Sequence, residues 1–468
     1  MTTVDTTSTV ESALGEAAEL ALGGDASWAA GLSLAVTDCD KIITQGAHGL
    51  ADVAAAKPAT TSTVFEIGSI SKGFTAALVL QARDSGLLDL DEPVSTYLPW
   101  FEVQSRFAPI TVRHLLTHTA GIIGGTEFTG DAAFEVWSLR DTQTSVAPGT
   151  WFYYSNTGYK ALGQLLQAVY RGRPYEQLLA DHLLSPLGMT ASESAITHET
   201  RRRMAVGYAP FYDDRPARRA DGLAPATWVE TATADGSIAS TAADMTAWLR
   251  LLMRDGTGPD NAQLVQAASV REMLTAAIPA DAPDESYGLG MYVRETDGHR
   301  VVSHTGGMVG YNAAVICDLE LGLGAVVLAN GSGPWAELAQ HAILSAHAAR
   351  NGSAAPEFAL PATETKPDQP AQVSDDAPPN EWAPLVGHYR CYNPWLTNIR
   401  VQHHADKLWM WAGEDSTLGE PLVQLDDGSF RVGADERCPD RLRFDVVIDG
   451  KTTRATLDGC AYYRTFTP

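Results

Sequence analysis

Phe65-Glu66-Ile67-Gly68-Ser69-Ile70-Ser71-Lys72-Gly73-Phe74 is the stretch on which the reading of this chain turns. Residues 65–68 read as an extended lead-in. Residues 71–83 read as a helix, with apolar positions at Phe74, Ala77, Leu78, Leu80 and Ala82. Residues three apart share a helix face, so Ser69 falls at the positive N-terminal end with Lys72 beside it in the first turn. A serine hydroxyl is a weak nucleophile until a neighbouring base takes its proton, and a partly desolvated lysine can do so. The spacing is that of an S-x-x-K motif. Alone it is weak, because seven lysines in a chain of 468 residues give such spacings by chance.

Two further stretches carry chemistry. Tyr154-Ser155-Asn156 is preceded by Pro148-Gly149-Thr150 and followed by Thr157-Gly158-Tyr159. A phenol beside a lysine ammonium can act as a second proton carrier, and an amide can hold a substrate carbonyl or orient the lysine. The bland alternative is a turn with a packed tyrosine. Ser303-His304-Thr305-Gly306-Gly307 follows a strand-like Arg300-Val301-Val302 and precedes a second strand-like run at 312–318. Its glycines would let a substrate backbone come close to the strand edge; otherwise they form a hairpin loop.

Taken together, the three stretches resemble the penicillin-recognising serine hydrolases: DD-peptidases, class C β-lactamases, related esterases and D-aminopeptidases. The resemblance runs from about Gly31 to Arg350. It is carried further by Ile110-Thr111-Val112-Arg113-His114-Leu115-Leu116-Thr117-His118-Thr119-Ala120-Gly121, by Trp151-Phe152-Tyr153-Tyr154-Ser155-Asn156, and by Asp235-Gly236-Ser237-Ile238-Ala239-Ser240-Thr241.

The resemblance implies Ser69 as nucleophile, Lys72 as its proton acceptor and Tyr154 as the acid/base serving the leaving group and then the incoming nucleophile. Asn156 would bind the substrate amide, and Thr305, Gly306 and Gly307 would line the substrate strand. The backbone N–H groups of Ser69 and Gly307 would form the oxyanion hole. His304 is expected in the catalytic set, where β-lactamases and transpeptidases usually carry lysine. Histidine is mostly neutral at pH 7, so the change disfavours substrates held by a carboxylate. It favours aminopeptidase, amidase or esterase chemistry. The expected activity is acyl-enzyme formation on Ser69 and cleavage of amides or esters in D-residue or other non-standard peptides. Two alternatives stay open: a thioesterase that macrocyclises nonribosomal peptides, and a β-lactam or muropeptide sensor that never turns over.

Composition narrows the partners. The net charge is −24, with 33 basic residues, which disfavours nucleic acid and anionic membrane surfaces. No run is long enough to span a bilayer, and the start lacks a basic, apolar secretory leader. The five cysteines (Cys39, Cys317, Cys391, Cys438 and Cys460) show no C-x-x-C spacing. Free thiols in the cytoplasm are therefore expected. A small peptide or ester is the expected partner, with self-association possible. No cofactor is implied. His114 and His118 sit at i, i+4 but lack the H-E-x-x-H glutamate, so a helix end is expected there and not a metal. His403-His404 with Asp406 reads as a solvated hairpin face.

The expected fold is α/β (α+β): an antiparallel sheet plus an all-α lobe, β-lactamase/DD-peptidase-like, followed by a small antiparallel β-barrel. A catalytic domain is expected over 1–350, with a helix in 1–25, strands at 32–37, 42–45, 287–294, 301–304, 313–319 and 324–329, and a helix at 335–350. Residues 86–245 would form the helical lobe carrying Tyr154. Six prolines among small and acidic residues mark 351–380 as a linker. Alternating strands over 381–468, with turns at Asp426-Asp427-Gly428 and Asp449-Gly450, read as a barrel. That barrel resembles a lipocalin-like domain; its tryptophans are expected in its core, and one of its loops could roof the site.

Overall fold

The computed structural model describes residues 6–25, 27–125, 129–215, 221–361, 379–412 and 419–465. Most of the expected linker, 362–378, therefore lies outside the described residues. Nine strands form one antiparallel sheet: β1 (Gly31–Asp38), β2 (Ile42–Asp52), β3 (Lys57–Pro58), β4 (Ile278–Pro279), β5 (Ser286–Tyr287), β6 (Tyr292–Thr296), β7 (His299–Met308), β8 (Tyr311–Asp318) and β9 (Leu323–Ala329). Their order is β3-β2-β1-β9-β8-β7-β6-β5-β4. The N- and C-terminal thirds of the catalytic region thus meet where β1 pairs with β9.

Both faces of the sheet are covered, so its central strands are apolar throughout rather than alternating. Leu32, Leu34 and Val36 of β1 and Ala325 and Val327 of β9 pack against α1 (Thr6–Gly23) and α5 (Trp335–Arg350). The opposite face, with Val326 and Leu328, packs against α2 (Ser71–Asp84) and α4 (Ala242–Met253). The helical lobe, including α3 (Asn156–Val169), packs on α2 from the far side. Helix α2 is therefore the centre of the larger core. Eleven of its fourteen residues are buried.

The expected strand over 287–294 is two strands, β5 and β6, interrupted at Gly288-Leu289-Gly290-Met291. The break has a steric reason. Gly290 has φ +83°, and a Cβ there would lie 2.8 Å from the Lys72 carbonyl oxygen, so the chain bends where it meets α2.

Eight strands close the barrel: β10 (Gly387–Arg390), β11 (Asn398–His404), β12 (Lys407–Ala412), β13 (Glu420–Gln424), β14 (Phe430–Val432), β15 (Arg441–Ile448), β16 (Lys451–Leu457) and β17 (Cys460–Arg464). Closure comes from Tyr389 pairing with Arg464. Tyr389, Ile399, Val401, Leu408, Leu442, Ala455 and Tyr462 fill it. Two expectations fail here. Leu408 points inward, so Trp409 and Trp411 sit half-buried outside the core. The same alternation runs Ile399, Val401, His403, so His403 is buried and not on a solvated face.

Candidate active site

Gly68 takes φ +53° and opens a tight turn, Gly68–Ile70, that delivers Ser69 to the start of α2. The turn is held in place by the Ile67 N–H, which donates to the Ile238 carbonyl at 2.9 Å. Lys72, fully buried on the first turn of α2, donates from Nζ to three oxygens: Ser69 Oγ at 3.0 Å, Asn156 Oδ1 at 2.8 Å and the Asp235 carbonyl at 2.9 Å. Two of these can only accept. When Nζ gives up a proton, its lone pair therefore has one of the three directions in which to accept one back, that of the Ser69 hydroxyl.

Tyr154 stands over the same ammonium, with Nζ 4.9 Å from the ring centroid. The same ring stacks on His118 at 4.2 Å and 30°. Asn156 opens α3, and Ser155 caps that helix by accepting from the Gly158 N–H at 3.1 Å. The Asn156 N–H donates to the Gly124 carbonyl at 2.8 Å. His114 and His118 do not converge. His114 Nδ1 accepts from the Thr111 N–H in a capping box, whereas His118 Nδ1 accepts from the Ser155 N–H at 3.0 Å. Among the described residues no group of three or more metal-ligating side chains comes together.

His304 lies behind Tyr154, ring centroids 6.3 Å apart, and is 2% exposed. Its Nδ1–H donates to the Thr305 carbonyl at 2.6 Å, which leaves Nε2 to accept from the Tyr287 hydroxyl at 3.2 Å. Burial, helped by the Lys72 charge, pushes its pKa down to about 3. His304 is thus a neutral ring fixed in one tautomer, and it adds no titration to activity between pH 5 and 9. The stability consequence has a definite sign. As pH falls below the unfolded value near 6.5, the unfolded chain takes up a proton that the folded ring refuses. Stability is therefore lost as pH drops toward 3. For His304 the loss by pH 5 is about 2 kcal/mol. His304→Gln should show a smaller fall in Tm between pH 7.5 and 5.0 than the unmodified chain.

Beyond Ser303, β7 is paired on one side by β8, while β6 has already ended. Thr305 and Gly307 are exposed along that open edge, and Gly306 faces inward against the Gly68–Ile70 turn. Ser69, Asn156 and Gly307 line a cleft of about 380 Å3, together with Lys160, Thr233 and Asp235. The outer wall comes from the barrel: the 391–395 loop with Tyr392 and Trp395, and the 459–461 turn. A barrel loop does reach the site.

The barrel also grips the segment carrying Tyr154 and Asn156. Asp440 accepts from the Tyr153 hydroxyl at 2.7 Å and from the Gly124 N–H at 3.3 Å, and the Arg437 guanidinium covers Trp151 at 4.6 Å. Burial and the Asp440 charge push the Tyr153 phenol far up, so it stays a donor. Asp440→Ala should lower turnover by about tenfold to a hundredfold through misplacement of Tyr154 and Asn156, leaving the barrel folded. The check is kcat against KM, with circular dichroism of the same samples. A loss confined to Tm would contradict a positioning role.

Some cleft residues had no place in the sequence reading. Lys160 and Glu135 form a buried ion pair at the cleft. Lys160 was accessible in principle, since it lies one helical turn after Asn156. Glu135 and Asp235 as a cleft carboxyl arrive by tertiary packing that no local pattern announces.

Known proteins with these features are consistent with one another. A family model described as beta-lactamase matches residues 17–350. Penicillin-binding protein 4 of Amycolatopsis lactamdurans is 31% identical over 287 residues, covering 58% of this chain and 73% of that protein. A beta-lactamase of Pseudomonas fluorescens is 31% identical over 344 residues, covering 68% of this chain and 93% of that protein. The octameric penicillin-binding protein homologue from Pyrococcus abyssi superposes with a TM-score of 0.62 at 23% identity, over 98% of both chains, a likeness of fold that includes the barrel. The chain belongs to the beta-lactamase family of serine hydrolases.

Proposed function

We propose that this chain is a cytoplasmic hydrolase that forms an acyl-enzyme on Ser69 and cleaves amide or ester bonds in D-residue or other non-standard peptides and esters. The observation that carries the reading is Lys72 Nζ, held among Ser69 Oγ, Asn156 Oδ1 and the Asp235 carbonyl. With Lys72 as the neutral amine, Ser69 Oγ bonds to the substrate carbonyl carbon while its proton passes to the Nζ lone pair, leaving the ammonium. The resulting oxyanion is held by the N–H groups of Ser69 and Gly307. Tyr154 protonates the leaving amine or alkoxide as the carbonyl re-forms. Water then attacks the ester, its proton leaving through Tyr154 and Lys72, and Ser69 regains its own. Asn156 holds the substrate amide, and the open β7 edge at Thr305 and Gly307 accepts its backbone.

The neutral His304 supports the choice among family chemistries. Without a permanent cation there, a free substrate carboxylate gains little. Five free cysteines support a reducing compartment. No helix among the described residues is long and apolar enough to cross a membrane. Assembly with copies of itself is proposed as well, supported by the exposed Val446, Val447 and Ile448 at the end of β15. The cleft wall built from the barrel's 391–395 and 459–461 segments also favours a second reading, in which a bound peptide amine replaces water and the product is a macrocycle.

Product analysis after incubation with D-residue peptide amides, esters and peptidyl thioesters tests the reading. Free acid is expected. Cyclic product would transfer the assignment to the macrocyclase, and a stable adduct without release would make the chain a sensor.

A further inference from the structure

Cys391 and Cys460 sit side by side where the barrel walls the cleft. Cys391 directly follows β10 and Cys460 opens β17, and these two strands close the barrel through the pairs Tyr389–Arg464 and Arg390–Tyr463. Side chains alternate along a strand, so Cys391 follows Tyr389, and Cys460 precedes Tyr462, on the inward face. Asn393 bridges the two sulfurs: its N–H donates to Cys391 Sγ at 3.3 Å and its Nδ2–H to Cys460 Sγ at 3.8 Å. Each thiol is also the other's hydrogen-bond partner. Both residues line the cleft that holds Ser69. Cys391 is partly exposed and borders a second hollow of about 670 Å3 as well, so a small reagent reaches it from solvent.

The surroundings favour the thiolate on Cys391. As a thiol it donates to the Leu396 carbonyl at 3.2 Å. As a thiolate it accepts from the Cys460 thiol, the Asn393 N–H and the buried Tyr462 hydroxyl, which has no oxygen or nitrogen partner among the described residues. These bonds, chiefly the one from Cys460, outweigh burial and pull the Cys391 thiol down to about 7. The same bond, together with burial, pushes the Cys460 thiol far up, so it keeps its proton. The other three cysteines have no such partner: burial raises the thiols of Cys39, Cys317 and Cys438. An accessible thiolate beside a thiol that holds its proton is the arrangement of an attacking and a resolving cysteine.

We propose that Cys391 and Cys460 form a dithiol modification site in the cleft wall, which a hydroperoxide oxidises to a disulfide. The Cys391 thiolate attacks the terminal oxygen of the peroxide. The O–O bond breaks, water or an alcohol leaves with a proton, and Cys391 becomes a sulfenic acid. The Cys460 sulfur then bonds to the Cys391 sulfur, and its proton leaves with the sulfenic hydroxyl as water. The two thiols give up two electrons, and these reduce the peroxide. A disulfide holds its sulfur atoms about 2.05 Å apart, so the Asn393 bridge must give way as the bond forms. The 391–395 loop and the 459–461 turn then shift together, and with them the wall that faces Ser69. Acylation of Ser69 slows as a consequence, since a displacement of about 1 Å in a positioning element is costly. The effect on acylation rests on the hydrolase reading; the disulfide does not.

The full chain is treated with a small molar excess of hydrogen peroxide and mapped by non-reducing peptide mass spectrometry, beside Cys391→Ser, Cys460→Ser and Cys39→Ser. The unmodified chain and Cys39→Ser should each lose two hydrogens and yield one linked pair of peptides, Cys391 with Cys460, which dithiothreitol separates. Cys460→Ser should stop at a sulfenic acid on Cys391, trapped by dimedone, and Cys391→Ser should give neither product. Before oxidation, iodoacetamide at pH 7 should alkylate Cys391 at least about tenfold faster than Cys39, the margin left when a larger thiolate fraction is set against weaker nucleophilicity. Acylation of Ser69 by a D-residue ester should be at least about fivefold slower after oxidation, restored by dithiothreitol, and equal in the treated and untreated Cys391→Ser chain. A disulfide between other cysteines, or peroxide treatment that leaves Cys391 and Cys460 unlinked, would overturn the proposal. Equal acylation with and without the disulfide would overturn its control of the cleft. No acylation in either state would sink the hydrolase reading alone, because the linked peptides decide the dithiol without it.

Discussion

Lys72→Met is expected to lower kcat/KM by at least about a thousandfold, the scale of a general base combined with loss of the nucleophile's orientation. Methionine nearly fills the volume, so packing around α2 changes little. The electrostatics change in two opposing directions. Asn156 Oδ1 and the Asp235 carbonyl each lose a donor, at about 1–3 kcal/mol apiece. Against that, a buried cation no longer has to be desolvated, which offsets much of the loss. Folding stability should therefore shift far less than activity. Lys72→Arg sharpens the point: the guanidinium keeps the charge and can donate to all three oxygens, but it cannot be deprotonated. If the lysine acts as a base, Arg should be as inactive as Met. Recovery of activity with Arg would show that a cation is all the site requires.

Gly306→Ala is expected to be the most damaging single-methyl change in the catalytic region. A Cβ on Gly306 would sit 1.8 Å from the Ile67 carbonyl oxygen and 3.1 Å from the Ser69 nitrogen. Neither backbone can retreat freely. Gly306 is paired with Ala313 in the sheet, and Ile67 is bonded to Ile238. The space must come from moving the nucleophile turn away from β7, which also parts the N–H groups of Ser69 and Gly307. A loss of about 3 kcal/mol in stability, at the upper end for overpacking, should accompany about a hundredfold loss in kcat. Gly307→Ala is the control. Its Cβ meets only Asn312 Nδ2, at 3.4 Å, so stability should change by less than about 1 kcal/mol. Urea unfolding and steady-state rates of the two variants, side by side, decide this. Equal stability losses would contradict the close-approach explanation.

These contrasts mark what the sequence could and could not reveal. The spacing of Ser69 and Lys72 was legible because helix geometry alone puts i and i+3 together. The apolar runs of β1, β8 and β9 were legible because a sheet covered on both faces leaves continuous hydrophobic stretches. The lower half of β7 was not, since Thr305, Gly306 and Gly307 have neither alternation nor β-branched bulk; only pairing with β8 makes them strand. The break at 288–291 was hidden for the complementary reason. Tyr287 and Tyr292 look like one strand until Gly290 has to clear the Lys72 carbonyl. In the barrel, the alternation Ile399, Val401, His403 carries the inward face, and periodicity outweighs the polarity of His403, which is buried. Asp440 and Trp395 lie hundreds of residues from the side chains they serve, and no local signal marks them.

The central claim is that Ser69 carries the acyl group. Its most direct test is the intact mass of the full chain, rapidly quenched during incubation with a slowly turned-over D-residue ester, with Ser69→Ala treated in parallel. The account predicts one acyl mass increment on the unmodified chain, mapped to the peptide containing Ser69, and none on the variant. An increment of the same size on Ser69→Ala, or turnover that survives the substitution, would contradict it.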